Sequence, residues 1–286
     1  MTGSLIGAQL VTGLAIGMLY ALMAFGLSII KGLLNIPNFA HGALFATGAY
    51  LCYGLGLVGT PFAVCLAGSF VGTAALGLAI EKFGMSKPGR PYLFQILFLF
   101  GVALVIEQVL VIVFGTTGVS LTPPPVLGGA MNLGFMQLPK YLLFCAVAGG
   151  LAMLVMWVVI EKTRFGAQVR AGIDKREMVQ ALGIDIGRLL TAGFAVGSGM
   201  AGLAGGLALP LLGASASSGT DMMSIAFVVL VIGGLGSLYG AVAAGLLVGV
   251  VQSLTTLVAP SASTLLIYVA MTVVLMLRPQ GLFGER

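Results

Sequence analysis

The sequence predicts an all-α polytopic membrane protein, and three observations carry that prediction. Of the 286 residues, 59% are hydrophobic and only 7% charged, with a mean hydropathy of +1.14; a soluble domain carries about 25% charge. The apolar residues gather in uncharged windows, most of them close to the roughly 20 residues that a helix needs to cross a bilayer. The cations fall between those windows with a strong bias to one side.

Taken in order, the windows are Leu5 to Ile30, Asn38 to Leu57, Pro61 to Ile80, Tyr92 to Phe114, Tyr141 to Ile160, Leu189 to Leu212, Met222 to Leu235, Tyr239 to Val258 and Ala262 to Leu277. The first has no basic stretch before it and no small-residue cleavage site after it, so it is expected to be a retained span rather than a signal peptide. Asn38 to Leu57 opens on Asn, Phe, Ala and His behind a proline at 37. Met222 to Leu235 has only 14 residues before a glycine-rich run, about 21 Å of helix against a core of roughly 30 Å. The expected architecture is therefore about eight to nine transmembrane helices, with broken or short helices near 31–42 and 222–240.

Threading all nine windows alternately across the bilayer collects twelve of the thirteen cations on one side: Lys31; Lys82, Lys87 and Arg90; Lys162, Arg164, Arg170, Lys175, Arg176 and Arg188; Arg278 and Arg286. Only Lys140 falls on the other. The positive-inside rule then sets the N-terminus outside and the C-terminus in the cytoplasm. Without either doubtful span the count is spoiled.

Small residues inside the spans, as in Gly202-Leu203-Ala204-Gly205-Gly206, suit the close backbone approach that helix association in lipid requires. Ile80-Glu81-Lys82 recurs as Ile160-Glu161-Lys162, which fits either a duplicated half or two interface anchors. Cys52, Cys65 and Cys145 lack ligand spacing and read as apolar packing residues. A single histidine cannot build a multi-ligand zinc site. With no GxxxxGK[ST] loop, the chain does not cradle a nucleotide by that route, and no dense basic face points to nucleic acid.

The longest hydrophilic stretch, 161–188, holds ten charges. Within it Asp174 to Gly183 spells a short helix: Asp174 as cap, Glu177 reaching back, Gly183 as the left-handed stop. Met178, Val179 and Leu182 share an apolar face. That face either lies on the membrane or spans, or docks into a groove on a cytoplasmic partner. Inside the membrane, Glu107 sits 16 residues into a 23-residue window, where a charge costs about 2.5–3.5 kcal/mol on insertion scales; a structural role and a proton-coupled one both remain open. Asn35, Asn38 and His41 surround the first helix break, and Gly236, Ser237 and Tyr239 the second. Broken helices at depth line cavities or are buried in protein, so the two breaks are expected to pack near each other beside a pathway, with tight capped turns as the alternative.

Asn38-Phe39-Ala40-His41-Gly42 after a long first span resembles the NFAHG signature of the LivH-like permease subunits of branched-chain amino acid ABC importers. The likeness continues through Glu107, Thr163-Arg164-Phe165-Gly166 with Arg170-Ala171, Ala181-Leu182-Gly183-Ile184-Asp185, Gly233-Gly234-Leu235-Gly236-Ser237 with Gly240-Ala241, and Arg278-Pro279-Gln280-Gly281-Leu282-Phe283-Gly284. It covers nearly the whole chain in order. The resemblance implies one transmembrane permease domain over 1–286 with a cytoplasmic coupling loop at 161–188. It also implies a bacterial inner-membrane location, a second related permease, two cytoplasmic ATPases that bind the ATP, a periplasmic solute-binding protein, and no catalysis or cofactor in this chain. The solute would be a branched-chain amino acid or a related amide, urea or small carboxylate. Its pathway would involve Asn35, Asn38, Phe39, His41, Gly42, Glu107, Gly236, Ser237 and Tyr239. The ATPase would be met by Arg170, Asp174, Glu177, Met178, Val179, Ala181, Leu182 and Gly183. Tyr239 departs from the small residue or proline of many relatives; its phenol could narrow a pathway or donate to a carboxylate. The rival is a self-sufficient secondary carrier or channel, with Glu107, His41 and Asp221 as its candidate ion or proton sites.

Overall fold

The computed structural model describes residues 3–85, 91–132 and 137–284, without the side chains of Ser4, Asp174 and Arg176. Lys87, Arg90 and Arg286 of the charge count, and the proposed cap at the Asp174 side chain, lie outside the described residues. All nine apolar windows are helical: α1 Gly3–Leu34, α2 His41–Leu57, α3 Phe62–Ile80, α4 Tyr92–Phe114, α5 Lys140–Lys162, α8 Ile186–Leu212, α9 Ser218–Gly233, α10 Leu238–Val258 and α11 Ser263–Leu277. The charged stretch adds α6 Arg164–Asp174 and α7 Arg176–Ala181. Seven of these helices, α3 with its following turn among them, are long and apolar enough to cross a membrane. The two doubtful windows form helices of 17 and 16 residues, and α11, at 15, reaches spanning length together with the turn at Pro260–Ala262. A two-stranded hairpin, Ala130–Asn132 with Gln137–Pro139, lies in the α4–α5 connection.

The first break is a change of depth. α1 ends at Leu34, yet the His41 ring at the start of α2 bonds the Met23 carbonyl at 3.0 Å. Met23 lies eleven residues back along α1, or about 16 Å at 1.5 Å per residue. The non-helical segment 35–40 therefore climbs back to mid-span before helix resumes. α9 begins at the same level, because a methyl on Gly219 would lie 2.7 Å from the Gly42 carbonyl oxygen. From that meeting point the two short helices diverge. α2 runs to the side of the 115–139 loop, where Gly56 meets Leu121; α9 runs to the charged side, ending beside Gly240 and the C-terminal tail.

This makes α1–α4 and α8–α11 two renderings of one pattern in opposite senses: a long buried helix, a non-helical connection, a half-helix, a full helix and a peripheral helix. The packing is exchanged accordingly. α1 lies along α10 through Gly13 and Gly17, and α8 along α3 through Gly77 and Gly202. Inverted repeats of this kind are a common transporter plan. The Ile-Glu-Lys echo belongs to a different relation: Glu81, buried, accepts from Thr191 on α8 at 2.5 Å, and Glu161 accepts from Tyr239 on α10 at 2.6 Å. Both acids anchor a span end to a later helix, and the duplication itself lies between α1–α4 and α8–α11.

α1 and α8 carry the core, whereas α4 and α11 are largely exposed, with Ile112 at 74% and Leu265 at 63%. Lipid is as apolar as leucine, so such faces carry no penalty there. The three cysteines are free and buried; Cys52 and Cys65 pack in an apolar cluster, and Cys145 donates to the Leu207 carbonyl at 3.5 Å.

Candidate functional site

The first connection is held by its own polar residues. Asn35 adopts φ 58°, and its Oδ1 accepts from the Lys31 ammonium at 2.6 Å; Asn tolerates this left-handed conformation better than most residues. Asn38 Oδ1 accepts from the Ala40 amide at 3.1 Å, and the His41 amide donates to the Asn38 carbonyl at 3.1 Å. Since a carbonyl only accepts, His41 donates through Nε2–H to Met23, which leaves Nδ1 as a lone-pair acceptor. Both Asn38 and His41 are fully buried, and Asn38 Nδ2 and His41 Nδ1 have no hydrogen-bond partner among the described residues.

The second connection turns on Gly234 and Gly236, at φ 106° and 91°, which a side chain would strain. Ser237 Oγ caps α10 by accepting from the Gly240 amide at 3.1 Å. The tail residues Leu282 and Phe283 donate their amides to the Ile232 and Gly233 carbonyls at 2.8 and 3.1 Å, supplying partners that a helix C-terminus lacks.

Two clefts gather the expected site residues. One, of about 490 Å³, lies between the α2 and α9 N-termini, α4 and α11, and Phe39, Gly42 and Glu107 line it. Its walls are mostly apolar, Phe100, Leu104, Met223, Phe227 and Met271 among them. Thr220 and Tyr268 also line it. Each helix N-terminus there carries roughly half a positive charge, so two positive ends share the cleft with one carboxylate. The other cleft, of about 990 Å³, opens on the charged side and is lined by Lys31, Asn35, Glu161, Arg170, Lys175, Glu177, Gly236, Ser237 and Tyr239. The two breaks thus do meet, but through 31–35 rather than through Asn38. Asn38 and His41 lie behind the walls and line neither cleft.

Tyr239 donates to the Glu161 carboxylate, one of the two consequences its bulk and hydroxyl imply. Arg170 completes that cluster, 3.3 Å from Glu161 and bonded to the Ile160 carbonyl. It joins α6, the end of α5 and the start of α10.

The charged segment 164–183 differs from the expected single helix. Asp174 is the last residue of α6, so it cannot take the extended N-cap conformation; Lys175, at φ −145°, makes the break and stands at the α7 N-cap. The sequence reading missed α6, although Thr163 caps it by accepting from the Gly166 amide at 3.2 Å and Phe165, Val169 and Ile173 recur at four-residue spacing. Gly183 stops α7 as expected, at φ 80°, in a Schellman closure: the Gly183 amide bonds Gln180 O at 3.0 Å and the Ile184 amide bonds Val179 O at 3.3 Å. The three-residue apolar face is split. Val179 is buried at 2% exposure, while Met178 and Leu182 are exposed at 61% and 79%. Glu177 and Ala181 are exposed beside them.

Residues 9–276 match the protein family described as branched-chain amino acid transport system, permease component. The chain is 26% identical to the high-affinity branched-chain amino acid transport system permease protein LivH of Salmonella typhimurium and 27% identical to BraD of Pseudomonas aeruginosa, each over 97% of this chain and 95% of the relative. It is 28% identical to a probable LivH of Methanocaldococcus jannaschii over 93% of this chain and 89% of that one. No solved structure matches the chain.

Proposed function

We propose that this chain, which belongs to the family of permease components of branched-chain amino acid transport systems, is the membrane-spanning subunit of an ATP-driven importer for branched-chain amino acids or a related small solute. It forms one permease domain over its whole length, with the loop 161–188 in the cytoplasm, the N-terminus periplasmic and the C-terminus cytoplasmic. The membrane is the bacterial inner membrane. A second related permease, two cytoplasmic ATPases and a periplasmic solute-binding protein complete the assembly. The ATPases bind and hydrolyse the ATP, and this chain performs no catalysis and needs no cofactor of its own.

The observation that carries the ATP-driven reading is the pair Met178 and Leu182, two large apolar side chains left exposed on a helix whose end is fixed by its own hydrogen bonds. A helix presenting an i, i+4 apolar pair beside a cation-rich loop suits insertion into a groove on a partner. The test is purification of the tagged chain in mild detergent from its native host, with ATP hydrolysis measured in the eluate. An ATPase and a second permease co-purify with the wild type, and Leu182→Arg loses the ATPase while retaining the membrane fold. Normal ATPase recovery with Leu182→Arg, or solute transport by the isolated chain in ATP-free vesicles, overturns the assignment.

A further inference from the structure

We propose that Glu107 receives the ammonium group of the transported solute in the cleft between α2, α4, α9 and α11. The inference rests on the branched-chain solute proposed above, which carries that group, and it assigns the group a place.

Glu107 occupies the interior of an apolar span, where an ionisable side chain is expensive and faces a partner or a cavity. It faces a cavity: it lines the 490 Å³ cleft, a size typical of small-molecule sites. Among the described residues it has neither hydrogen bond nor ion pair, and none of the residues lining the cleft is Lys, Arg or His. Beyond the partial positive charge of the two helix N-termini, no side-chain cation among the described residues lines the cleft with this carboxylate, which leaves it for a cation brought by the solute. The remaining walls fix what accompanies the cation. Phe100, Leu104, Met223, Phe227 and Met271 offer a branched aliphatic chain an apolar surface, and desolvation there strengthens the charge pairing at Glu107. His41 is bound to the Met23 carbonyl and lies outside the cleft, so it does not pair with Glu107 as a proton relay there.

The test uses the assembled importer with Thr220→Cys as a reporter on the cleft wall; the native Cys52, Cys65 and Cys145 are buried. The rate of thiol labelling is measured with leucine, with 3-methylbutylamine, which keeps the ammonium and branched chain but lacks the carboxylate, and with 4-methylpentanoate, which lacks the ammonium. Leucine and 3-methylbutylamine are expected to slow labelling at least threefold and 4-methylpentanoate not at all. Glu107→Gln abolishes both protections without disturbing co-purification of the complex, and Glu107→Asp retains part of them. Equal protection by 4-methylpentanoate, unchanged protection in Glu107→Gln, or no protection by 3-methylbutylamine overturns the site. ATP-driven leucine uptake by the wild-type complex is scored separately: its absence counts against the branched-chain solute, whereas uptake without protection counts against Glu107 alone.

Discussion

A single methyl group at the α1–α8 crossing tests the packing on which the two halves depend. A Cβ at Gly26 would stand 2.5 Å from the Gly197 carbonyl oxygen, and one at Gly197 would stand 2.6 Å from the Gly26 oxygen. Ordinary contact begins at 3.4 Å, so either alanine requires the helices to part by about 0.8–0.9 Å at that point. The obstruction is backbone on both sides, and each helix is held from behind, α1 by α10 and α8 by α3, so no side chain can swing away to absorb it. Overpacking of this kind costs about 1–3 kcal/mol, and each 1–2 kcal/mol changes the folded ratio by about 5–30-fold. The assay is detergent-induced unfolding followed by circular dichroism, with Gly101→Ala, which meets nothing within 4 Å, as control. Gly26→Ala and Gly197→Ala each lower stability by the stated amount, and the double variant loses less than the sum, because the first separation makes room for the second methyl. Wild-type stability in Gly197→Ala, or strict additivity, would refute the crossing.

Three further outcomes follow from local geometry. Gly183→Ala forces a Cβ into the left-handed region at φ 80°, at about 1–2 kcal/mol; it frays the end of α7 and weakens ATPase recovery several-fold in pull-downs while leaving the spans intact. His41→Leu removes one bond to Met23, worth about 0.6 kcal/mol on the membrane-protein average, together with the unpartnered Nδ1, so thermal stability shifts by less than about 1 kcal/mol; a larger loss would mean that His41 holds more than the Met23 carbonyl. Truncation after Gln280 removes the two amides that cap α9, and hydrogen exchange then accelerates in the last turn of α9 and not in α1.

The spans were legible because lipid imposes them: every apolar window had to be helix, with the polar opening of Asn38 to Leu57 marking α2 and the 14-residue window marking α9 as irregular. Depth was not legible. Nothing local to Asn35-Ile36-Pro37-Asn38 states that the chain climbs about 16 Å before helix resumes; that height is set by the His41–Met23 bond across to another turn of α1. For the same reason the repeat escaped the sequence reading, which found three matched residues at Glu81 and Glu161, whereas the structural repeat is one of packing partners and direction. The site was half legible. Phe39, Gly42 and Glu107 share a cleft, and Asn35 meets Ser237 and Tyr239 in another. Asn38 and His41, chosen for polarity at a break, spend that polarity on backbone of the same break and of α1. On α7, spacing assigned three residues to one face, but Val179 alone is buried while Met178 and Leu182 are exposed.

The two clefts lie on opposite sides of the segment 31–42, and one contiguous route joins them. α7 follows α6; Arg170 of α6 and Glu161 of α5 hold Tyr239 at the start of α10; α10 packs glycine to glycine along α1; α1 continues into the break whose far end, Phe39 and Gly42, walls the Glu107 cleft. On the function proposed above, a displacement of α7 would reach the Glu107 cleft through the Tyr239 link or directly from α6 to α1, where Ile173 lies against Gly32, and a mutant cycle measures the share that Tyr239 carries. Tyr239→Phe removes one hydrogen bond at a half-exposed position, about 0.5–1.5 kcal/mol, so on its own it slows uptake by roughly tenfold at most. Where the link transmits the movement, its loss matters little once Glu107→Gln has emptied the cleft, and the two effects on uptake per ATP combine to less than their product. Effects that multiply would separate this charged-side cluster from solute handling and leave Glu161, Arg170 and Tyr239 as a brace for α6.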